Sequence, residues 1–264
     1  MSQIGLGQDY TNAHSLISRD YKRIKGTFYI VSSGYDEIDE IQEFQDRVYA
    51  GLPDKGKILI RPRSAAERNA IKQNGGFHFT ARDMQTHKIV GIMLGSCATS
   101  QQEYENKINL SQQAGRPCIW KDKCLVLSTT FIDQKYQASG IAEALFEVAL
   151  EVGSQNGFDG YGFVIGHDNR AYLKCALNSG FSIVGSGIHK ALGTKMFLFE
   201  RAPVSDIAFE QEHVKLVMTQ TIFDSINIEN YLDDNYVIVD MGLYHPSFTF
   251  ARQHASLAAK RQSA

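Results

Sequence analysis

Apolar positions recur along this chain with two different periods, and the places where one period gives way to the other mark its elements. Cys124-Leu-Val-Leu-Ser-Thr-Thr-Phe-Ile132 is a short apolar run rich in β-branched residues, the pattern of a buried strand. A turn follows from Asp133 to Gly140. Ile141, Ala144, Leu145, Val148 and Ala149 then fall at helical spacing, so the turn empties into the first turn of an amphipathic helix. Phe158 to Ile165 reads as a second buried strand, and Asn169 to Asn178 as a second helix that stops at Gly180.

Upstream, Thr27-Phe-Tyr-Ile-Val-Ser32 predicts the first strand. Ile38, Ile41, Phe44 and Val48 mark one face of a helix whose N-terminal end is crowded with acids, where the helix dipole favours them, and Gly51-Leu-Pro53 ends it. Ser64-Ala-Ala-Glu67 is a capping box opening a short helix through Ile71, stopped by Gly75-Gly76. Phe77-His-Phe-Thr-Ala-Arg82 and Lys88-Ile-Val-Gly-Ile-Met-Leu94 read as a hairpin across Asp83 to His87. Ser100 to Lys123 is polar, holds the single tryptophan, Trp120, and is expected as a long loop, either a wall of an acceptor pocket or inert surface.

Downstream, Ser182 to Leu192 and Lys195 to Glu200 form a hairpin around Gly193-Thr194. Val214 to Phe223 stays open between helix and strand, while Tyr236-Val-Ile-Val-Asp240 reads as a strand. Residues up to about Lys25 carry no sustained period and are expected as an arm, and Ala251 to Ala264 is expected to fray.

Composition narrows the function. The 264 residues suffice for a full core, and a formal net charge of −2 with acids and bases interspersed leaves no electrostatic footprint for nucleic acid. The start, Met1-Ser-Gln-Ile-Gly-Leu-Gly, has no basic stretch leading into an apolar core, and no later run is long enough to span a bilayer; the expectation is a cytoplasmic protein without a membrane partner. Cys97, Cys118, Cys124 and Cys175 lack metal-ligand spacing, so reduced thiols and no metal are expected.

The chemistry concentrates at Gln137-Ala-Ser-Gly140-Ile-Ala142. The first amides of a helix have no internal partner and carry the positive end of its dipole, and small residues there let a phosphate approach the backbone. On its own such a hexad is also what plain packing produces. Here it follows a strand, opens a helix, and is succeeded by a strand running to Asn169 and by Gly180-Phe181. With these residues the chain resembles the GNAT family of acyl-CoA-dependent N-acyltransferases, whose signature is Gln/Arg-x-x-Gly-x-Gly/Ala followed by an Asn-led helix closing in Gly-Phe.

The resemblance implies an α/β (α+β) fold: a mixed, mostly antiparallel central sheet with a splayed parallel strand pair and helices on both faces. It covers residues 27–203, between an N-terminal arm (1–26) and a C-terminal extension (204–264) packed on the domain or on a partner copy in a homodimer. It also implies acetyl-CoA as cofactor and direct acetyl transfer to a primary amine of a small molecule or peptide. Gln137, Ala138, Ser139, Gly140, Ile141 and Ala142 would hold the pyrophosphate, Thr130, Phe131 and Ile132 the pantetheine arm, and Asn169 would contact that arm or simply cap its helix. Family members often place a tyrosine seven residues after this asparagine to protonate the leaving thiolate. That position is Ala176 here, and Tyr172, one turn nearer the N-terminus, is the catalytic candidate in its place, against plain packing. His167 is the best-placed base, against a structural strand-end histidine, with His78 and Asp133 behind it. The loss of the usual tyrosine also keeps open a degenerate module that binds acyl-CoA or a partner without turnover.

Overall fold

Among the described residues, eleven strands hydrogen-bond into one sheet in the computed structural model, which describes residues 19–22, 27–58, 60–110, 123–201, 209–217, 236–241 and 247–253. In chain order they are β1 (Arg19–Lys22), β2 (Thr27–Ser32), β3 (Phe77–Asp83), β4 (Ile89–Ala98), β5 (Cys124–Ile132), β6 (Gly160–Gly166), β7 (Ser182–Ile188), β8 (Lys195–Arg201), β9 (Phe209–Val217), β10 (Tyr236–Met241) and β11 (Ser247–Gln253). The spatial order is β1-β2-β3-β4-β5-β6-β8-β7-β10-β11-β9, and only β5 and β6 run parallel. The helices are α1 (Ile38–Ala50), α2 (Asp54–Ile58), α3 (Ala65–Gln73), α4 (Gln101–Ile108), α5 (Ile141–Gln155) and α6 (Arg170–Asn178). This is the mixed, mostly antiparallel sheet with helices on both faces that the resemblance implies.

Each face of the sheet has its own apolar packing. On one, α5 and α6 set Leu145, Phe146, Val148, Leu173 and Leu177 against Phe79, Leu125, Phe163 and Phe199. On the other, Ile41 and Phe44 of α1 pack on Ile89, Ile92 and Phe131, while Tyr104 and Ile108 of α4 pack on Val126 and Leu198. β4 is buried along its whole length because both faces are covered, which is why its sequence reads as a continuous apolar run and not as an alternation. α1 is tied to the sheet by Arg82 of β3, whose guanidinium donates to Glu40 at 2.7 and 3.0 Å and to Glu37 at 3.1 Å.

The structure departs from the sequence reading in several places. Part of the expected N-terminal arm is β1, antiparallel to β2 with Arg19 opposite Ile30; an edge strand pairs through its backbone and needs no apolar period. The polar stretch after β4 begins with α4. Its N-cap Ser100 accepts from the Glu103 amide while the Glu103 carboxylate accepts from the Thr99 amide, a capping signal present in the sequence. Residues 111–122, with Cys118 and Trp120, lie outside the described residues. Short α2 and the extension of β4 to Ala98 were not expected either. In the C-terminal extension, 209–217 is a strand, and β11 takes in Ala251–Gln253 of the stretch expected to fray; β10 joins the sheet through Ile238 opposite Ile183 of β7. No helix among the described residues is long and apolar enough to cross a membrane.

The capping box of α3 is fully formed: Ser64 Oγ accepts from the Glu67 amide at 3.3 Å and the Glu67 carboxylate accepts from the Ser64 amide at 2.9 Å. Ser64→Ala should lower the unfolding free energy by about 1 kcal/mol, the usual cost of a lost N-cap, read as a shifted urea midpoint at unchanged slope.

Candidate functional site

The parallel pair parts early. Cys124, Leu125 and Val126 of β5 lie opposite Gly160, Tyr161 and Gly162 of β6, and the pairing ends there. Beyond it β6 stays bonded to β8 as far as Gly166, while β5 stays with β4 as far as Ile132. A bulge bends β5 at the same point: Ser128 faces Leu94 and Phe131 faces Ile92, three steps on one strand against two on the other. The extra residue is Thr129, at φ 50°, a left-handed conformation unusual for a β-branched side chain. Its position re-sorts the side chains that follow, so that Phe131 packs toward α1 and Ile132 toward α5.

The turn after β5 is pinned at its base. Asp133 accepts from the Lys135 amide at 3.1 Å and pairs with Arg47 of α1 at 3.5 Å. Tyr136 donates its hydroxyl to Asp83 at the end of β3, 2.9 Å away. Hydrogen bonds, first from the Thr86 amide and then from Tyr136, hold the Asp83 carboxyl below the usual aspartate range, while burial and this carboxylate push the Tyr136 phenol up. Ser139 is turned inward, 4% exposed, with both its hydroxyl and its amide donating to the Tyr136 carbonyl; it holds the turn together. Gln137 and Ala138 are exposed, and Ala138 and Gly140 sit at φ 58° and 87°.

This geometry leaves a set of amides free. The first bond into α5 runs from the Ala144 amide to the Gly140 carbonyl at 3.1 Å. Among the described residues the amides of Gly140, Ile141, Ala142 and Glu143 find no acceptor, so four N–H groups and the positive end of a 15-residue helix converge on one spot. Gly91 of β4 sets how deep the helix start lies, since a Cβ there would stand 2.8 Å from Ile141 Cγ2.

On α6, Asn169 is a helix cap: its Oδ1 accepts from the Tyr172 amide at 3.4 Å, which leaves its side-chain amide donors uncommitted by that bond. Tyr172 stacks on Phe146 of α5 with centroids 5.4 Å apart and lies 6.4 Å from the Phe163 ring of β6. Its hydroxyl meets Thr130 Oγ1 of β5 at 2.6 Å. Burial pushes this phenol well above the ordinary tyrosine value, with the Thr130 bond opposing the rise, so it stays protonated at neutral pH. Ala176, where the resemblance leads one to look for a tyrosine, is 0% exposed in the packed interior.

The structure therefore brings Thr130 and Tyr172 together, with Asn169 at the head of the same helix. His167, at the end of β6, has its ring stacked on Phe197, centroids 3.7 Å apart at 15°. Of the lesser candidates, Asp133 is engaged as above, and His78 is 1% exposed on the α1 and α3 side of the sheet. Sequence reasoning missed Thr129 and Gly91; a bulge and a helix-to-strand approach are properties of the partner strand's register. Among the described residues no group of three His, Cys, Asp or Glu side chains is arranged to hold a metal ion, and Cys97, Cys124 and Cys175 are buried and not disulfide-bonded.

No family model matches the chain, and no curated protein matches it. Among solved structures it is similar to a GNAT-family acetyltransferase from Streptococcus pneumoniae, at 15% identity and a TM-score of 0.48 over 66% of this chain and 98% of that one. It is similar to a GNAT superfamily phosphinothricin acetyltransferase from Sinorhizobium meliloti in complex with acetyl-CoA, at 16% identity and 0.47 over 66% and 86%. The ribosomal-protein-S5-alanine acetyltransferase of Vibrio fischeri is similar at 14% identity and 0.48 over 70% and 96%.

Proposed function

We propose that this protein is an acetyl-CoA-dependent N-acetyltransferase that passes an acetyl group directly to a primary amine of a small molecule or peptide. The observation that carries this reading is the parting of β5 from β6 beyond Val126. A strand edge without a strand partner inside a sheet leaves backbone donors and acceptors for an extended, amide-bearing guest, and the pantetheine arm has that chemistry. The four amides at the start of α5 suit the diphosphate attached to such an arm. When bound, acetyl-CoA supplies a thioester with a good leaving group.

The chain's own residues do the rest. Backbone N–H groups of β5 next to the Thr129 bulge stabilise negative charge developing on the carbonyl oxygen. Tyr172, protonated and fixed by Thr130 and the Phe146 ring, delivers a proton to the departing sulfur. His167 is the base candidate for the incoming amine. A second reading, binding without turnover, draws on Ala176, because a tyrosine has no room at that buried position without repacking.

Acetyl-CoA at 100 times its dissociation constant should stabilise the protein by about 2.7 kcal/mol, seen as a raised melting temperature. A panel of amines, polyamines, aminoglycosides and peptides should reveal coenzyme A release; protection with no release from any acceptor would favour the second reading. Gly91→Val should push Ile141 outward and weaken acetyl-CoA binding by about tenfold, the size of one lost charge-assisted hydrogen bond, at unchanged circular dichroism. Tyr172→Phe should lower kcat by about 10²-fold with the KM for acetyl-CoA nearly constant; equal kcat would remove the phenol from the mechanism.

A further inference from the structure

The gap between β5 and β6 has a wide end and a closed end, and the two faces of the sheet differ at the closed end. The last rung is Val126 opposite Gly162. On the α5 and α6 face the residues that follow are packed into the core: Leu127, Phe163 and Ile165 are each 3% exposed. Side chains alternate along a strand, so Ser128 and Val164 are the next on the α4 face, and both are part-exposed. The space beside the parting strands therefore opens toward α4. The Ser128 hydroxyl oxygen is buried there without a partner among the described residues, which gives the opening a polar atom to offer.

Tyr104 shuts this opening at its narrow end. It is 1% exposed in the middle of α4 and packs with Val126 and Leu198, and Val164 lies against the same cluster. Its phenol covers Gly162: a Cβ built on that glycine would stand 2.7 Å from Tyr104 Cε2 and 2.8 Å from Cζ, with Oη nearer still. The ring thus fills the volume that a side chain at 162 would need. Its hydroxyl donates to Glu200 Oε1 at 2.8 Å, and Glu200, 5% exposed on β8, lies directly opposite Gly162 in the ladder. A hydrogen bond to a buried carboxylate is a strong one, so the ring is held as a fixed wall.

We propose that Tyr104, held over Gly162 by Glu200, is the end wall of the acyl site and restricts the donor to the shortest acyl-CoA thioesters. This rests on the acetyl-transfer reading above and adds the residue that selects the acyl chain. The turn into α5 follows β5 at the wide end of the gap, so the arm enters there and its thioester lies toward the rung. With the thioester carbonyl level with Ser128 and the Thr129 bulge, the acyl group points at Val126 and Gly162, two residues away, or about 7 Å. Contact with the wall takes up about 4 Å of this. The remainder, about 3 Å, accepts the methyl of an acetyl group and excludes a butyryl chain.

The test uses the full chain, with coenzyme A, acetyl-CoA, butyryl-CoA and hexanoyl-CoA as ligands and calorimetry as the readout, so no acceptor is needed. Acetyl-CoA should bind about tenfold more tightly than either longer thioester. Tyr104→Leu removes the far end of the ring and should bring butyryl-CoA level with acetyl-CoA. Adding Gly162→Ala to Tyr104→Leu refills part of the same space and should restore the preference for acetyl. A parent that binds the three thioesters alike overturns the wall and leaves the transferase reading standing. The wall is equally overturned by a Tyr104→Leu variant with the parent's ranking, or by a refilled double variant that stays permissive. If Tyr104→Leu does not fold, Val126→Ala, which trims the other side of the closed end, should move the ranking in the same direction, and an unmoved ranking overturns the wall. The expected ranking without coenzyme A release from any amine supports the wall together with binding without turnover. Absence of binding by all four ligands overturns the transferase reading, and the wall with it.

Discussion

Two adjacent strands that stop bonding to each other inside a covered sheet are the constraint on which this structure turns. Buried main-chain groups are nearly always paired, and β5 and β6 could satisfy each other simply by running on together past Val126 and Gly162. The fold prevents this from both sides. β8 keeps its full register with β6, while the bulge at Thr129 turns β5 toward β4. The gap is thus built from two intact ladders that diverge, and opening it requires no disorder in either strand.

Around that gap the two faces of the sheet are built differently. On the α5 and α6 side the walls are aromatic and dry: Phe163 stacks on Phe199 at 5.2 Å, meets Phe181 edge-on at 4.8 Å, and Phe146 lies against both Phe163 and Tyr172. The Phe146 and Phe163 rings hold the half-buried tyrosine from the core side, and its one polar atom is fixed by Thr130. The α1 and α3 side keeps a polar interior, where Ser33 bonds Thr80 at 2.8 Å and Gln45 holds the loop before α3.

What the sequence made legible was local. The start of α5 follows from Gly140 and the spacing of Ile141, Leu145 and Val148, and the α3 capping box follows from Ser64 and Glu67. What it hid depends on partners. Thr129 looks like one more β-branched strand residue until Leu94 and Ile92 are known to face Ser128 and Phe131. α4 was hidden because its inward positions are only Tyr104 and Ile108, too few to show a period among Gln, Glu and Asn. Arg68 carries no signal in the sequence and His78 is there only a lesser base candidate on a strand; their burial comes from α3 docking on β3 and β4, a tertiary fact with no local signature.

The contact between Tyr172 and Thr130 joins two hydroxyls, and either oxygen can be the donor. A phenol that surrenders its proton usually leaves an anion stranded in an apolar wall, which burial penalises heavily. Here the threonine need only rotate its O–H to reverse the sense of the bond and solvate the phenolate it has just helped to create. The strand that shapes the opening therefore also carries a built-in swivel for charge, which on the acetyl-transfer reading would let the tyrosine give up and regain its proton without any ionised neighbour.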